Sequence, residues 1–333
     1  LPDTRPTLVT GASGFVGSAV ARVLIARGHK VRVMVRPTSD RRNLAGLDVE
    51  IFTGDLTDPA SLARAVAGCR YLAHVAADYR IWVPDPDAML RANVDGSIAI
   101  LRAAAAAGVE RSVYCSSVAA LGLNADGTPA DEATELLEAG IVGTYKRSKH
   151  RAELAVLDLA RQGMNVVIVN PAAPVGPRDI KPTPTGKMIL DAAAGRVPAY
   201  VDTGLNVVHV DDVAEGHALA LERGRSGEKY ILGGENLRLQ ELLTLVCTIA
   251  GKSPPRIRLP IGAVWPVAWA LEGIARLTGT EPLVTRDHLK MARKKMFFSS
   301  AKAMRELGYA PRPVRVAVED AVAWFRAAGM LRA

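Results

Sequence analysis

The sequence predicts an α/β protein: a doubly wound parallel sheet with helices on both faces, and a smaller C-terminal lobe interleaved with it. Three observations carry that expectation. Short β-branched runs alternate with amphipathic helical stretches from residue 7 to about residue 169. A turn containing three glycines separates the first run from the first helix. At 333 residues the chain also exceeds a typical domain of about 100–200 residues.

Thr7–Thr10 is the first predicted strand, and the stretch from Gly14 to Arg27 the first helix. His29–Val35 and Val49–Phe52 follow as strands, Ser61–Ala67 as a helix and Tyr71–Val75 as a strand. Met89–Ala107 has the length of a long helix; Arg111–Cys115 reads as a strand, Tyr145–Gln162 as a helix and Asn165–Val169 as a strand. Strands separated by helices of this size specify right-handed crossovers, hence parallel pairing and a sheet covered on both faces. Beyond Pro171 the texture changes. Five prolines between residues 171 and 186 predict a wrapped loop, because proline lacks the N–H that a ladder or a helix interior uses. Val207–Val213 reads as a strand turning into a helix, and Lys229–Leu232 as another strand.

Composition narrows the partners. Hydrophobic residues at 49% and charged residues at 23% are those of a globular chain and exclude a disordered or fibrous one. Forty-two Lys and Arg against 34 Asp and Glu give a net charge of +8, which suits nucleic acid, an anionic membrane surface or a phosphate-bearing ligand. The basic residues form no aromatic-flanked stripe, so nucleic acid is not an expected partner. Cys69, Cys115 and Cys247 have neither metal-ligand nor redox-pair spacing; no metal is expected, and the odd count suits a reducing compartment. No basic-then-apolar leader precedes the first strand, so the expected location is the cytoplasm. Ile261–Leu277 is largely apolar, holds Trp265 and Trp269, and is followed by Lys290, Arg293, Lys294 and Lys295. Pro266, Glu272 and Arg276 interrupt it, short of the ~20 apolar residues of a membrane span. A helix buried in the lobe is the first reading; peripheral contact with the inner face of an anionic membrane is the second.

The glycine turn, Thr10-Gly11-Ala12-Ser13-Gly14-Phe15-Val16-Gly17, follows the first strand and opens the first helix. Gly11, Gly14 and Gly17 permit a tight turn, a close backbone approach to a pyrophosphate, and close helix–sheet packing. Ser13, Phe15 and Val16 lie where the helix start offers unpaired N–H groups and the positive end of its dipole to a phosphate. This is a Rossmann-type dinucleotide site. Residues 1–170 are therefore expected to form the dinucleotide-binding domain, to which 207–232 returns, while 171–206 and 233–333 form the substrate lobe. At the end of the second strand an acidic residue would hold the ribose 2′-hydroxyl of NAD. Arg36 stands there instead, followed by Arg41 and Arg42, a set able to clamp a 2′-phosphate. NADP is expected over NAD. Asp55, after the third strand, is placed to accept from the adenine amino group.

Tyr145 and Lys149 sit four apart on the predicted helix and share a face. An ammonium beside a phenol is expected to lower the phenol's pKa from its ordinary value of about 10. So tuned, Tyr145 exchanges a proton with a substrate oxygen while a nicotinamide carries hydride, and Lys149 also holds the nicotinamide ribose. Ser117, at the end of the fifth strand, is placed to donate to a substrate carbonyl; its neighbour Ser116 contacts cofactor or backbone.

Together these residues resemble the extended short-chain dehydrogenase/reductase superfamily from Leu8 to about Leu331, with further likeness in Asp55-Leu56, His74-Val75-Ala76-Ala77, Asn93-Val94-Asp95-Gly96, Asn170-Pro171 and Val208–Val213. The resemblance implies a Ser117–Tyr145–Lys149 triad and cofactor contacts from Leu56, Val75, Ala76, Ala77, Asn93 and Pro171. Within the superfamily the chain is similar to dihydroflavonol-4-reductase-like proteins, and most to hopanoid-associated sugar epimerases in Val35–Asp40 and Gly176–Gly186. Homodimers built from two helices per subunit are common there. Two departures bear on substrate. Where plant dihydroflavonol reductases place an Asn that reads flavonoid hydroxyls, this chain has Gly122, and where many nucleotide-sugar epimerases hold substrate with an Asn, it has Ala173. The expected activity is NADP(H)-dependent interconversion of a secondary alcohol and a carbonyl, on a sugar, polyol or hopanoid-related small molecule. A sugar epimerase without net redox change is the alternative, and a catalytically silent cofactor-binding protein a third. Substrate walls are expected from residues 78–90, 122–142 and 172–205.

Overall fold

β1 (Thr7–Thr10) and α1 (Phe15–Ala26) open the chain in the computed structural model, which describes residues 4–78, 85–278 and 286–331. β2 (Val31–Val35), β3 (Glu50–Thr53), α2 (Pro59–Val66) and β4 (Tyr71–His74) follow. Then come α3 (Pro86–Leu90), a π-turn at Arg91–Asp95 and α4 (Gly96–Ala106), so the predicted long helix carries one wide turn. β5 (Arg111–Cys115), α5 (Thr144–Arg161) and β6 (Val166–Pro171) complete the first half. The second half adds β7 (Ala173–Val175), α6 (Pro184–Ala193), β8 (Ala199–Val201), β9 (Gly204–His209), α7 (Val210–Arg223) and β10 (Lys229–Leu232). After these are β11 (Glu235–Arg238), α8 (Leu239–Ala250), β12 (Ile257–Leu259), α9 (Ile261–Thr278), α10 (Arg286–Ala292), β13 (Lys295–Met296), α11 (Ala301–Leu307) and α12 (Val314–Ala327).

Among the described residues, seven strands form one parallel sheet in the order β3-β2-β1-β4-β5-β6-β10. Successive strand side chains point to opposite faces, and the two faces are filled separately. In β6, Val167 and Val169 join the core beneath α1 and α7, while Val166 and Ile168 join the core beneath α2, α4 and α5. This is why the strands read as continuous apolar runs. Strand order reverses between β1 and β4, and the crevice at that reversal is where an open α/β sheet binds its ligand.

The lobe departs from the sequence reading at three places. Of the span 207–232 expected to return to the main sheet, β10 does so, beside β6, but Val207–His209 lies in β9. β9 centres a second sheet, antiparallel to β11 and parallel to β7 and β13. The proline-rich segment is not all loop. Pro171 ends β6; Pro174 sits in β7, which among the described residues pairs only with β9, an edge position that tolerates proline. Pro184 begins α6, where the first N–H has no helical partner, and Thr183 caps the turn by accepting from Gly186 N at 3.1 Å. Third, α9 is not a buried helix. Of its described side chains only Ala268 is buried, and Trp269 is 60% exposed. No helix among the described residues is long and apolar enough to cross a membrane.

Candidate active site

The glycine turn is built as its spacing requires. Gly11 has φ +72°, and a Cβ there would lie 2.7 Å from the backbone nitrogen of Ala76. At Gly17 a Cβ would lie 2.2 Å from the Gly11 carbonyl oxygen. Both therefore exclude side chains, one for backbone sign and contact, the other for contact alone. Gly14 caps α1 with no side-chain bond, which leaves the first-turn N–H groups of Phe15 and Val16 for an anion. Ser13 is tied in by its carbonyl, which accepts from Asn43 Nδ2 at 3.4 Å; the same amide donates to Arg178 O at 3.1 Å. Asn43 was not singled out from sequence, yet it joins the arginine loop to the glycine turn.

Arg36 is exposed at the end of β2, and its backbone N–H donates to Ser39 Oγ at 3.0 Å. Arg41 is exposed too. Arg42 is engaged: its guanidinium donates to Asp40 Oδ2 at 2.6 and 3.0 Å and to Oδ1 at 3.1 Å, and these bonds hold the Asp40 carboxyl down at about 2. Arg42 reaches a 2′-phosphate only by leaving Asp40, so Arg36 and Arg41 are the available pair. Beyond β3, Asp55 Oδ1 accepts from Thr57 N at 2.9 Å and Oγ1 at 2.8 Å. These bonds, and secondarily the charge of Arg36, lower its pKa. Leu56 packs over Gly96, where a Cβ would sit 3.2 Å from its own.

Across the crevice, Val75, Ala76 and Ala77 are half-buried and continue from β4. Thr10 Oγ1 accepts from the N–H groups of Val75 and Ala76 at 3.2 Å each, and meets buried His74 Nδ1 at 2.7 Å. Burial pushes His74 down to about 3, so the imidazole is neutral and serves as a fixed strut to Ser97 Oγ, 2.9 Å from Nε2. Asn93 lies in the π-turn and is buried. Its side chain accepts from Asp78 N at 2.7 Å and donates to Asp78 O at 2.8 Å and Ser148 Oγ at 3.0 Å. Those bonds tie the crevice wall to α5, so its amide positions the wall. Pro171 lies at the buried end of β6.

Ser117, Tyr145 and Lys149 meet at the carboxyl edge of the same sheet. Gly143, at φ +86° and ψ 156°, starts α5 in a conformation reserved for glycine and places Tyr145 in its first turn. Ser117 caps the short 3₁₀ turn Val118–Ala120, its Oγ accepting from Ala119 N at 3.1 Å, which leaves the hydroxyl proton free to donate. The Ser117 side chain neighbours Tyr145 and favours the ionised form of its phenol. Lys149 is buried, and its Nζ donates to Cys115 O at 2.7 Å, 5.1 Å from the Tyr114 ring centre. This corrects the expected tuning. Burial pushes the Tyr145 phenol up to about 12, and Ser117 opposes it; Lys149 is aimed at the backbone carbonyl and does not depress the phenol. Burial likewise pulls Lys149 below the ordinary lysine range, with Cys115 and Glu153 acting against it.

Glu153, one turn beyond Lys149, was also missed. It is buried, and Oε2 accepts from Ser116 Oγ at 2.5 Å and Asn170 Nδ2 at 2.6 Å; Asn170 Nδ2 also donates to Ser117 O at 3.0 Å. Ser116 therefore faces this carboxylate, and Asn170 fixes the backbone of Ser117. The four-residue step from Lys149 was the available signal, but a Glu on a helix ordinarily reads as a solvated charge.

Of the expected substrate walls, residues 79–84 lie outside the described residues. Gly122 has no room for a side chain: a Cβ would lie 2.1 Å from Glu135 O. The flavonoid-reading Asn is thus sterically barred as well as absent. Ala173 is half-buried in β7.

Residues 7–233 match the NAD dependent epimerase/dehydratase family. A protein of Synechocystis sp. named "Putative dihydroflavonol 4-reductase" is 43% identical over 328 residues, covering 97% of this chain and 95% of that one. The "Sterol demethylase protein B" of Methylococcus capsulatus is 36% identical over 328 residues, covering 98% and 99%. The crystal structure of gox2253 superposes with TM-score 0.89 and 61% identity, covering 98% of this chain and 100% of that one.

Proposed function

The chain belongs to the NAD dependent epimerase/dehydratase family, and from that premise we propose that it is an NADP(H)-dependent reductase of a carbonyl on an apolar, polycyclic or isoprenoid-like small molecule. The observation that carries this reading is the Tyr145 phenol, in the first turn of α5, beside the Ser117 side chain that follows β5, with burial keeping the phenol protonated. When bound, the nicotinamide supplies hydride to the carbonyl carbon. Tyr145 gives its proton to the carbonyl oxygen, and Ser117 donates a hydrogen bond that orients the same oxygen. Lys149 has two ammonium protons left after its bond to Cys115 O, enough to hold a ribose diol. An epimerase must take a proton from an alcohol as readily as it returns one. A phenol near 12 suits donation far better than acceptance at neutral pH. The absence of polar readers at Gly122 and Ala173 and the sterol in a relative's name support an apolar substrate. Loss of NADPH absorbance with a carbonyl substrate tests the proposal; interconversion of sugar epimers with no change in absorbance would replace it with the epimerase.

For the cofactor, NADP is proposed on Arg36, which occupies the position where an acidic residue would read the NAD ribose. Arg36→Asp is expected to weaken NADPH binding by about 10- to 100-fold and to leave NADH binding equal or tighter, since one charge-assisted contact becomes a repulsion. Fluorescence titration of both cofactors reads this directly, and unchanged NADPH affinity removes Arg36 from the phosphate site.

A further inference from the structure

We propose that the α9–α10 face is a docking surface for an anionic lipid bilayer, set beside the mouth of the Tyr145 site. The inference rests on the apolar-substrate reading only for its purpose; the surface itself stands on geometry.

Gly262, Pro266 and Trp269 follow at steps of four and three, so they share one face of α9, and with Ala263 they are exposed. An ordinary surface helix presents charges there. Among its described residues α9 adds no charged side chain of its own to this face; the one charge set against it is Arg286, over the Trp269 ring. The strand leading into it adds Ile257 at 59% exposure and Leu259 at 37%, on one side of β12. Isolated exposed apolar residues need no explanation, but a run of them ending in an exposed tryptophan marks an interaction surface.

Charge borders this face, with one sign in excess. Residues 286–295 hold five Lys or Arg against Asp287. Arg286 pairs with Glu272 at 2.7 Å and lies over the Trp269 ring at 4.3 Å; Lys290 lies 3.4 Å from Asp287. Arg293, Lys294 and Lys295 are exposed and pair with no carboxylate among the described residues; Arg293 stands 5.8 Å from the Trp265 ring. The exposed Trp269 indole, near cations that have no carboxylate partner among the described residues, suits the boundary between headgroups and acyl chains, the ring entering and the cations meeting lipid phosphates. A second copy of this chain fits less well, because a two-fold contact through this face would oppose the positive patch to itself. The position adds the reason for docking here. A methyl group at Gly143 would lie 3.5 Å from the Asp287 carboxylate, so α10 abuts the start of α5, two residues before Tyr145. A membrane-dissolved substrate would leave the bilayer next to the proton donor.

Flotation of the whole chain with vesicles tests this, using phosphatidylcholine alone and phosphatidylcholine with phosphatidylglycerol at low salt. The expected result is recovery with the anionic vesicles, a blue shift of tryptophan emission, and release at about 0.5 M salt, where screening shortens electrostatic reach to a few ångströms. The double variant Lys294→Glu/Lys295→Glu should bind at least about tenfold more weakly, given the ~1 kcal/mol that each cation contributes near an anionic surface. Trp269→Ala should also bind more weakly, and both variants should reduce a water-soluble ketone at the unaltered rate. No flotation with anionic vesicles, equal flotation of the charge-reversed variant, or a dimer that Trp269→Glu disperses would each overturn the docking surface. Flotation is read without turnover, so a chain that floats but never oxidises NADPH refutes the reductase reading alone.

Discussion

Tyr145→Phe is expected to lower carbonyl reduction by about a thousandfold while leaving NADPH affinity within about a factor of two, because the substitution removes a proton donor and little else. The aromatic ring survives, so packing at the start of α5 is retained. Ser117 still has Ala119 N and the Asn170 amide to hold it, and Lys149 still has the Cys115 carbonyl. Stopped-flow hydride transfer and cofactor titration separate the two quantities. Activity within about threefold of the parent would take the proton-transfer role away from Tyr145.

The same phenol sets a pH dependence whose sign follows from the direction of its shift. Burial holds Tyr145 protonated up to about 12, above its ordinary value. Reduction consumes the protonated form, so its kcat/KM should show no limb from Tyr145 between about pH 6 and 9. Alcohol oxidation requires the phenolate, whose fraction rises about tenfold per pH unit below the pKa, so oxidation should climb steeply through the same window. A flat oxidation profile there would mean that the phenol is acidified on the enzyme after all.

Much of this was legible in the chain. β1 and β5 end at the residues read from sequence, because two-sided burial makes their apolar runs stop abruptly at Gly11 and Ser116. The glycine turn was legible because its constraints are local: a positive φ at Gly11 and a helix packed on the Gly11 carbonyl at Gly17. What failed was everything decided by a distant partner. The β-branched pair Val207-Val208 announces a strand but not its sheet, and the pairing with β7 and β11 comes from residues on either side of it in sequence. The Tyr145–Lys149 spacing gives a shared helix face, yet the ammonium is drawn to the Cys115 carbonyl at the end of another strand. The apolar run in α9 looked like core because hydrophobicity normally predicts burial, and that rule runs in one direction only.

Glu153 offers the sharpest test of the part that sequence did not reveal. Glu153→Leu strands the Ser116 hydroxyl, leaves one Asn170 Nδ2 proton without a partner while the other keeps Ser117 O, and removes the carboxylate 3.7 Å from Lys229 Nζ. At ~1–3 kcal/mol for each unsatisfied buried group, the expected loss is roughly 3 kcal/mol, on the order of 5–10 °C in Tm. Glu153→Gln keeps the shape and one acceptor, so most of that stability should remain, and the variant isolates the charge. Burial already pulls Lys149 down, and Glu153 opposes it; without the carboxylate the ammonium deprotonates at lower pH. Loss of the Lys149 charge weakens its hold on the cofactor ribose, so reduction should fall off at alkaline pH closer to neutrality in Glu153→Gln than in the parent, with kcat affected more than KM for the carbonyl. A limb that stays in place while Tm falls would confine Glu153 to holding Ser116 and Asn170, and the charge of Lys149 would then be set by Cys115 and its surroundings alone.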